Sequence, residues 1–366
     1  MKKDVIFVCD SRDYHAMDWF HVVKDICNDK QIAVATDIVD RSGVESLIRR
    51  DDSVILLYDI NPFLIKGKTR IGDIWRNGIK VITTPFQIWG LRKLAQENPE
   101  VVFHAHSMYY IFLCWLAGIK FVATPMGSDV LVRPDESRIY KYLTTRSLKA
   151  AEVITVDSVK LYDKVKEISG SESKIIQNGI DVAEISSFEN SAGERNKIVS
   201  IRGFYPNYQI EKLLSSRNNM SNPPGITFIY PFYEENYRVK LKADFIGSDI
   251  DSGRLGKEDL YKLLWESYMV VSIPESDSSP RSVYEAIFCG CAVAVTYSPW
   301  IDSLPSCMTS RVIVVNLENP GWFQEALMIG KEIASGRYIP SREALELYDQ
   351  VEAMKVVCRD VYNIKV

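Results

Sequence analysis

The sequence predicts an α/β protein with two consecutive units, each built around a parallel β-sheet. First, short β-branched runs alternate with helical patterns along almost the whole chain, which is typical of a parallel sheet with crossover helices. Second, the chain has 366 residues, which is more than one hydrophobic core usually organises. Third, a polar segment at 184–196 separates two series of strands, and we expect it to link domains at 1–183 and 197–340.

The predicted strands fall into two series. Those of the first series lie at 4–9, 31–36, 53–58, 80–84, 101–104, 120–124 and 153–155. Those of the second series lie at 197–202, 225–230, 244–247, 269–273, 292–296 and 311–315. Helical patterns lie at 89–97, 108–117, 209–215, 257–266 and 282–289, and two further helices are expected near 321–335 and 341–362.

Composition and charge exclude several classes of protein. Hydrophobic residues make up 46% and charged residues 25% of the chain, as is usual for soluble globular proteins. The net charge of -4 argues against a nucleic-acid binder. Asp10 and Asp13 interrupt the apolar N-terminal run, and the longest apolar stretch, 109–119, is about half of the ~20 residues that a spanning helix needs. We therefore expect a cytoplasmic protein without a signal peptide.

The cysteine and histidine patterns predict no metal site. None of the seven cysteines forms a Cys-x-x-Cys pair, and the four histidines, at 15, 21, 104 and 106, lack metal-binding spacing. Reduced thiols are consistent with the cytoplasm. No Gly-x-Gly-x-x-Gly sequence follows the first strand, which argues against a nicotinamide-dependent dehydrogenase.

The most informative stretch is 272–296, which reads as strand, polar loop, helix, glycine turn and strand. Ser279 is a good N-cap, and Pro280 suits the first helical position. The helix N-terminus would present N–H groups and a positive dipole end, which bind phosphate well. Asp277 before the helix and Glu285 within it could hold hydroxyl groups at two points of a nucleotide sugar. An ordinary capped surface helix with two acidic residues is the alternative explanation.

This stretch resembles the signature of the glycosyltransferase family 4 type of GT-B enzymes. In that signature an acidic residue, seven intervening residues and a glutamate-alanine pair precede an apolar helix and a glycine. Here these are Asp277, Glu285-Ala286 and Gly290. The resemblance implies that Glu285 holds the ribose hydroxyls, that Asp277 contacts the transferred sugar, and that the loop and first helical turn bind the sugar or diphosphate. That last group comprises Ser278, Ser279, Pro280, Arg281 and Ser282.

Further segments resemble the same family in the order that it requires. The segment 174–181 is similar to the asparagine-glycine-x-aspartate sequence that closes the N-terminal domain, and 151–158 to the strand before it. The segments 101–106 and 121–129 resemble the strands that line the active-site cleft. Together the matches extend from 101 to 296.

One departure from the family pattern matters for the predicted chemistry. Many relatives carry a histidine where Met126 precedes Gly127, and methionine can neither donate a hydrogen bond to a sugar nor relay a proton. Gly127 remains a predicted donor-binding residue. Asp129 is the nearest polar substitute and a candidate catalytic residue. Alternatively, the sequence Gly-Ser-Asp here only forms a turn and caps a helix.

The resemblance also implies roles for residues at other strand ends. Arg202 would neutralise the leaving diphosphate, although an ordinary surface ion pair is the alternative for a strand-end arginine. The lysine that often accompanies this arginine is not evident, and Lys212 or Arg281 could replace it. Candidate acceptor-binding residues follow or end the strands of the first series: Tyr14, His15 and His106.

The resemblance implies a GT-B fold, with two Rossmann-like domains facing across a cleft and a C-terminal helix at 341–366 packing back on the N-terminal domain. It implies a metal-independent, retaining glycosyltransferase with a nucleotide-sugar co-substrate, UDP-sugar favoured over GDP-sugar, and no other cofactor. The acceptor would be a glycan or lipid-linked glycan of cell-surface polysaccharide biosynthesis, used at the cytoplasmic face of a membrane. The alternatives are a catalytically impaired nucleotide-sugar-binding subunit, motivated by Met126 and the missing lysine, and a nucleotide-sugar epimerase.

Overall fold

The structure is a computed structural model that describes residues 3–37, 47–58, 70–275, 277 and 279–365, without the side chains of 70–77. The chain divides into two compact units, each with its own parallel sheet. The first unit comprises Met1–Asn178 and Val351–Val366, and the second comprises Gly179–Gln350. The α/β architecture with two parallel sheets is therefore as predicted.

The described part of the first unit contains a seven-stranded sheet with the order β3-β2-β1-β4-β5-β6-β7. Its strands are β1 (Val5–Val8), β2 (Ile32–Thr36), β3 (Val54–Leu56), β4 (Val102–His106), β5 (Val122–Thr124), β6 (Val153–Val156) and β7 (Lys174–Ile175). Its helices are α1 (Tyr14–Ile26), α2 (Arg70–Glu97), α3 (Met108–Ala117), α4 (Gly127–Leu131), α5 (Arg133–Glu136), α6 (Arg138–Ala150) and α7 (Val159–Ser169).

The second unit contains a six-stranded sheet, counted over its described residues, with the order β10-β9-β8-β11-β12-β13. Its strands are β8 (Lys197–Ser200), β9 (Thr227–Ile229), β10 (Ile250–Gly253), β11 (Ser267–Ser272), β12 (Ala292–Val295) and β13 (Val312–Val314). Its helices are α8 (Val182–Ser187), α9 (Ile210–Asn218), α10 (Glu235–Lys242), α11 (Lys257–Trp265), α12 (Arg281–Phe288), α13 (Ser306–Thr309), α14 (Trp322–Ser335) and α15 (Arg342–Tyr348).

Both sheets are covered by apolar layers on their two faces, because successive strand residues point to opposite sides. In β11, Val270 packs with residues of α11 and α12, whereas Met269 and Val271 pack with residues of α9 and α14. In β1, Ile6 and Phe7 likewise belong to separate apolar clusters. Burial on both faces explains why these strands read as unbroken apolar runs in the sequence.

The predicted strand at 80–84 is wrong, because this segment lies inside the long helix α2. The hydroxyl groups of Thr83 and Thr84 donate to the carbonyls of Ile79 and Lys80, one helical turn earlier, at 2.9 Å and 2.8 Å. Such bonds satisfy threonine side chains within a helix. The β-branched run alone therefore favoured a strand that the longer helical context overrides.

The predicted strand at 244–247 is also wrong, and the strand of this region, β10, begins at Ile250. The carboxylate of Asp249 accepts the backbone N–H groups of Ile226 and Ile246, each at 2.9 Å. The same carboxylate pairs with the fully buried guanidinium of Arg217 at 2.6 Å. These bonds fix a turn before the strand, so the pairing starts several residues later than the apolar pattern indicated.

The polar segment at 184–196 folds within the second unit. It forms most of α8 and a 3₁₀ turn at Glu189–Ser191, and Ile185 of α8 is fully buried. The indole N–H of Trp265 donates to the carbonyl of Ile185 at 2.8 Å. The chain instead changes unit after residues 178 and 350. Gly179 and Gln350, the residues beside these two changes, lie against each other. Gly179 has φ 61°, and a Cβ there would lie 2.4 Å from the Cα of Gln350.

The predicted C-terminal segment at 341–366 is divided between the units. Helix α15 belongs to the second unit, whereas the last helix, α16 (Gln350–Asp360), belongs to the first from Val351 onward. Met354 and Val357 of α16 are buried in the same apolar cluster as Phe7 of β1. Among the described residues, no helix combines the length and the apolar composition needed to span a bilayer.

Candidate functional site

The second sheet has a topological switch point between β8 and β11. From β8 the chain proceeds outward through β9 and β10, and it then returns to place β11 on the other side of β8. Ligands of open α/β sheets bind at the carboxyl ends of the two strands that flank such a point. Arg202 follows β8 and Asp277 follows β11. The fold therefore brings two predicted site residues to the position where this architecture binds ligands.

Arg202 and Asp277 form a partly buried ion pair at this edge. The Nη2 atom of Arg202 lies 2.6 Å from Oδ2 of Asp277, and its Nε donates to Oγ of Ser272 at 2.6 Å. The two charged side chains are 13% and 18% exposed. Ser272 is the last residue of β11, so the guanidinium is fixed against the end of that strand.

Neighbouring strand ends hold the loop that carries Asp277. The hydroxyl of Ser298 donates to the carbonyl of Asp277 at 3.0 Å, and the hydroxyl of Thr296 donates to the carbonyl of Pro274 at 2.7 Å. Ser298 and Thr296 both follow β12. The predicted donor-binding residue Ser278 lies outside the described residues.

Helix α12 begins one residue after Pro280, the predicted first helical position. Pro280, with ψ 78°, is the N-cap and Arg281 the first helical residue, so Ser279 lies outside the helix. The predicted N-cap at Ser279 is wrong, because its carbonyl accepts the N–H of Arg281 at 3.0 Å and the chain turns there before the helix starts. Pro280 provides no side-chain cap, and Ser282 lies in the first turn. The positive end of α12 therefore joins the loop of Asp277 directly.

Glu285 is a buried carboxylate on α12. The hydroxyl of Tyr261 on α11 donates to Oε1 of Glu285 at 3.2 Å, and Nε of Arg281 lies 3.4 Å from the same oxygen. Burial raises the pKa of Glu285, and the charge of Arg281 and the bond from Tyr261 act in the opposite direction. The sequence analysis missed Tyr261, because no local pattern on α11 indicates that its hydroxyl reaches α12.

The first sheet has its own switch point, between β1 and β4. His106 ends β4, His15 lies in the first turn of α1 after β1, and Asp157 follows β6. Three of their atoms are buried without a hydrogen-bond partner among the described residues, namely Nδ1 of His15, Nε2 of His106 and Oδ1 of Asp157. Buried polar atoms normally have partners, so an edge with three such atoms is a candidate site for a polar ligand.

Burial favours the uncharged forms of His106 and Asp157. It lowers the pKa of His106 to about 3 and raises the pKa of Asp157. The other oxygen of Asp157 accepts a hydrogen bond from Nδ2 of Asn178 at 3.2 Å. The sequence analysis missed Asp157, although a polar residue directly after an apolar strand was the available signal.

The remaining predicted residues of the first unit have different environments. Tyr14 is 57% exposed at the start of α1, and Gly127 is the first residue of α4. The carboxylate of Asp129 is engaged at both oxygens, because it accepts the N–H of Met108 at 3.0 Å and pairs with Arg133 at 3.0 Å. Asp129 thus caps α3, and its catalytic role stays a prediction.

No group of three or more histidine, cysteine, aspartate or glutamate side chains within the described part of the chain is arranged to hold a metal ion. Among the described residues, the positive groups at the switch point of the second sheet include Arg202 and the N-terminal end of α12, which begins with Arg281. What this edge offers to an anion is therefore a guanidinium and backbone N–H groups.

A known glycosyltransferase family matches part of the sequence. Residues 46–184 match the family model of Glycosyltransferase Family 4. This match confirms the resemblance over much of the first unit, whereas the Asp277 and Glu285 signature lies outside the matched range. None of the curated proteins matches the chain.

Solved structures confirm the GT-B fold. Anabaena HepE, in a complex with UDP and glucose, has a TM-score of 0.68 at 12% identity over 99% of this chain and 100% of that chain. Sucrose-phosphate synthase from Thermosynechococcus elongatus has a TM-score of 0.71 at 10% identity over 99% and 98%. A protein from Listeria monocytogenes that is assigned as a UDP-N-acetylglucosamine 2-epimerase has a lower TM-score of 0.58 at 12% identity over 100% of this chain and 98% of that chain. The chain thus has the GT-B fold and, over residues 46–184, a family 4 sequence pattern, which together support a glycosyltransferase.

Proposed function

We propose that this protein is a retaining, metal-independent glycosyltransferase that moves a sugar from a nucleotide sugar, UDP-sugar favoured over GDP-sugar, to a hydroxyl of a glycan or lipid-linked glycan. The observation that carries the proposal is the pairing of Arg202 with Asp277 at the switch point, directly before the helix of Glu285. The family 4 match supports it. The UDP and UDP-glucose complexes of HepE support the choice of UDP.

The donor diphosphate would compete with Asp277 for the guanidinium of Arg202. A phosphate can take both guanidinium hydrogen bonds of an arginine, so it is a strong competitor for a single carboxylate contact. Asp277, once displaced, is left to bind hydroxyl groups of the transferred sugar. Negative charge grows on the diphosphate as the sugar leaves, and Arg202 together with the α12 N-terminus would stabilise it. These groups take the place of a metal ion in the proposed reaction.

Glu285 would bind the ribose of the donor. Its carboxylate retains acceptor capacity beside the bond from Tyr261, and it lies one helical turn after Arg281. Two ribose hydroxyl groups can donate to one carboxylate. The raised pKa of Glu285 implies that this binding depends on pH, because an ionised carboxylate accepts such bonds best.

The acceptor would bind at the carboxyl edge of the first sheet. His15, His106 and Asp157 each carry a buried polar atom there that has no partner among the described residues. Hydroxyl groups both donate and accept hydrogen bonds, so a sugar can satisfy a mixture of imidazole nitrogens and a carboxyl oxygen. Tyr14, exposed at the start of α1, would add contact area.

The proposed setting is cell-surface polysaccharide biosynthesis at the cytoplasmic face of a membrane. On α6, Ile139 and Tyr142 are 74% and 61% exposed. The same helix carries four exposed basic residues, Arg138, Lys141, Arg146 and Lys149. Such a face suits an anionic lipid surface. We expect more of the protein to cosediment with phosphatidylglycerol vesicles than with phosphatidylcholine vesicles. In Tyr142→Ala, cosedimentation with phosphatidylglycerol should fall. Equal cosedimentation with the two kinds of vesicle would contradict the membrane contact.

Two other functions are distinguished by turnover. A catalytically impaired subunit, motivated by Met126, would bind the nucleotide sugar without transferring or hydrolysing it. A nucleotide-sugar epimerase would convert its donor without an acceptor, and the lower TM-score of the epimerase neighbour makes that function the weaker fit.

The test is a panel of nucleotide sugars titrated calorimetrically in the presence of EDTA and then assayed for hydrolysis. One donor should bind and be slowly hydrolysed by the wild type, and Glu285→Ala should bind it about 10- to 100-fold more weakly. Glu258→Ala, an exposed glutamate of α11, is the matched control and should bind like wild type. If no nucleotide sugar binds, or if Glu285→Ala binds as tightly as the control, the donor site is wrongly assigned.

A further inference from the structure

Two loops of the second unit, 203–208 and 231–234, are joined by backbone hydrogen bonds. The N–H of Phe204 donates to the carbonyl of Phe232 at 3.1 Å, and the N–H of Glu234 donates to the carbonyl of Phe204 at 3.0 Å. The two loops together carry four aromatic residues that we call the aromatic platform: Tyr205, Tyr208, Phe232 and Tyr233. None of these residues has a role in the site described above.

The ring of Phe232 contacts the rings of Tyr205 and Tyr208, and the platform stays accessible. The ring centroid of Phe232 lies 5.8 Å from that of Tyr205 and 6.0 Å from that of Tyr208. Tyr205, Phe232 and Tyr233 are 39%, 46% and 43% exposed. A cluster of exposed aromatic rings has a cost in water and commonly marks a binding surface.

The platform rests on a rigid base. Phe204 is fully buried, and its ring stacks on that of Tyr230 with 3.9 Å between centroids. The ring of Phe232 lies so close to the backbone that a Cβ at Gly203 would be 2.2 Å from one of its carbons. Gly203 therefore allows the ring to pack on the chain directly after Arg202, and this packing fixes the position of the ring.

The platform adjoins the ion pair of the candidate donor site. The guanidinium carbon of Arg202 lies 5.7 Å from the ring centroid of Tyr208, and that of Arg238 lies 4.2 Å from the ring centroid of Tyr233. Aromatic faces are electron-rich, so both cations are favourably placed beside the rings. A ligand whose phosphates lie on Arg202 would extend over these rings at one of its ends.

The two faces of the second sheet indicate which end of the ligand lies over the rings. Glu285 and Tyr261 lie on helices that cover one face of the second sheet, whereas Phe204 of the platform base belongs to the apolar cluster on the other face. A nucleoside held through its ribose by Glu285 therefore lies on the side of Arg202 that α11 and α12 cover. The rings of the platform, on the side of the Phe204 cluster, are left for the sugar end of the ligand.

We propose that the aromatic platform binds the apolar face of a pyranose ring, that of the transferred sugar of the donor. The C–H groups on one face of a hexose are slightly positive and apolar, and they match the face of an aromatic ring. Phe232 is the central ring because it contacts both Tyr205 and Tyr208. This inference rests on the donor site proposed above.

The test compares each nucleotide sugar with its own nucleoside diphosphate by calorimetry: UDP-glucose and UDP-N-acetylglucosamine with UDP, and GDP-mannose with GDP. Phe232→Ala should bind the sugar nucleotide about threefold to tenfold more weakly and the nucleoside diphosphate with unchanged affinity. Phe232→Tyr, which keeps the ring, should bind both like wild type. Circular dichroism and thermal melting verify that the variants are folded.

A second arm measures binding of the sugar without its nucleotide. Saturation-transfer NMR with the methyl α-glycosides of glucose, galactose and mannose should show contacts in wild type and Phe232→Tyr that Phe232→Ala loses. Equal weakening of UDP or GDP binding would mean that the platform stacks on the base, and unchanged behaviour in both arms would mean that it binds no sugar; either result overturns the inference. If the wild type binds no nucleotide at all, the donor site fails, and the glycoside arm still decides on the platform.

Discussion

At the carboxyl edge of the second sheet, Arg202 and Asp277 are charged partners 2.6 Å apart. The same edge of the first sheet has ion pairs of its own, Arg12 with Asp10 and Lys80 with Asp37. In addition it carries three buried polar atoms without a partner among the described residues, on His15, His106 and Asp157. Burial drives His106 and Asp157 of the first unit toward their uncharged forms. One fold type, repeated in one chain, thus carries two different kinds of polar surface.

The difference indicates different ligands. An ion pair can exchange one partner for another anion, so the edge of the second sheet suits a phosphate. Neutral, unpartnered donors and acceptors suit hydroxyl groups, which bring no charge into a buried site. This contrast matches a division in which one unit binds the nucleotide sugar and the other binds the acceptor.

The largest expected effect is on turnover through Arg202. Arg202→Ala should lower kcat about 100- to 1000-fold, because it removes the charge that stabilises the leaving diphosphate. Arg202→Lys should recover part of this loss, since it keeps the charge without the two-pronged geometry. Arg337→Ala, an exposed arginine of the same unit, is the control. A kcat for Arg202→Ala equal to that of the control would remove the distinction between the two edges.

The second prediction concerns the acid stability of the first unit. The folded-state pKa of His106, about 3, lies below its ordinary value of 6.5, so the unfolded chain takes up a proton that the folded chain does not. Stability is then lost as pH falls from 6.5 toward 3, by at most about 1.4 kcal/mol per pH unit for this histidine. Urea midpoints measured across this range should fall less steeply in His106→Gln than in wild type; identical slopes would show that His106 is not buried in its neutral form.

The third prediction concerns donor affinity and pH. The pKa of Glu285 is raised by burial, and ribose hydroxyls bind its ionised form, so affinity should fall as pH drops through that pKa. Below it, each pH unit should cost about a tenfold loss in affinity. Calorimetry of Glu285→Gln should give weak binding that does not change with pH in this way. A parallel pH dependence in wild type and variant would assign the titration to another group.

The smallest expected effect is at Asp157, where a change in acceptor KM is distinguished from a change in stability. Asp157→Asn should leave the free energy of unfolding within about 1 kcal/mol of wild type, because the pKa of this buried carboxyl is already raised toward its neutral form. The same change should raise the KM for the acceptor about threefold to tenfold and leave that for the donor unchanged. A large loss of stability with an unchanged KM would identify Asp157 as a structural residue.

The sequence predicted the framework of the fold well, because apolar runs and their punctuation are local signals. It failed at 80–84, where a β-branched run lies within a long helix, and at 244–247, where Asp249 fixes a turn. Both errors come from contacts that residue types alone do not reveal. Arg202 and Asp277, to which the family resemblance gave separate roles, lie together because the carboxyl ends of adjacent parallel strands share one edge.

The residues that the sequence missed depend on contacts between distant segments. Tyr261 is 24 residues from Glu285, and the loop of Phe232 joins the loop of Phe204 by backbone pairing. Asp129 illustrates the converse, because a polar residue in a family motif has both oxygens occupied by Met108 and Arg133. Such roles depend on contacts in the folded chain, and the spacing of residues along the sequence does not predict them.

The most direct test of the central claim is hydrogen–deuterium exchange with and without the nucleotide sugar that the calorimetric panel identifies. The claim is that the switch point of the second sheet binds the donor, so we expect slowed exchange in 201–208 and 279–288. Segments at the edge of the first sheet, including 105–108, should respond only when acceptor is added. Protection by the nucleotide sugar that is confined to the first unit would contradict the assignment.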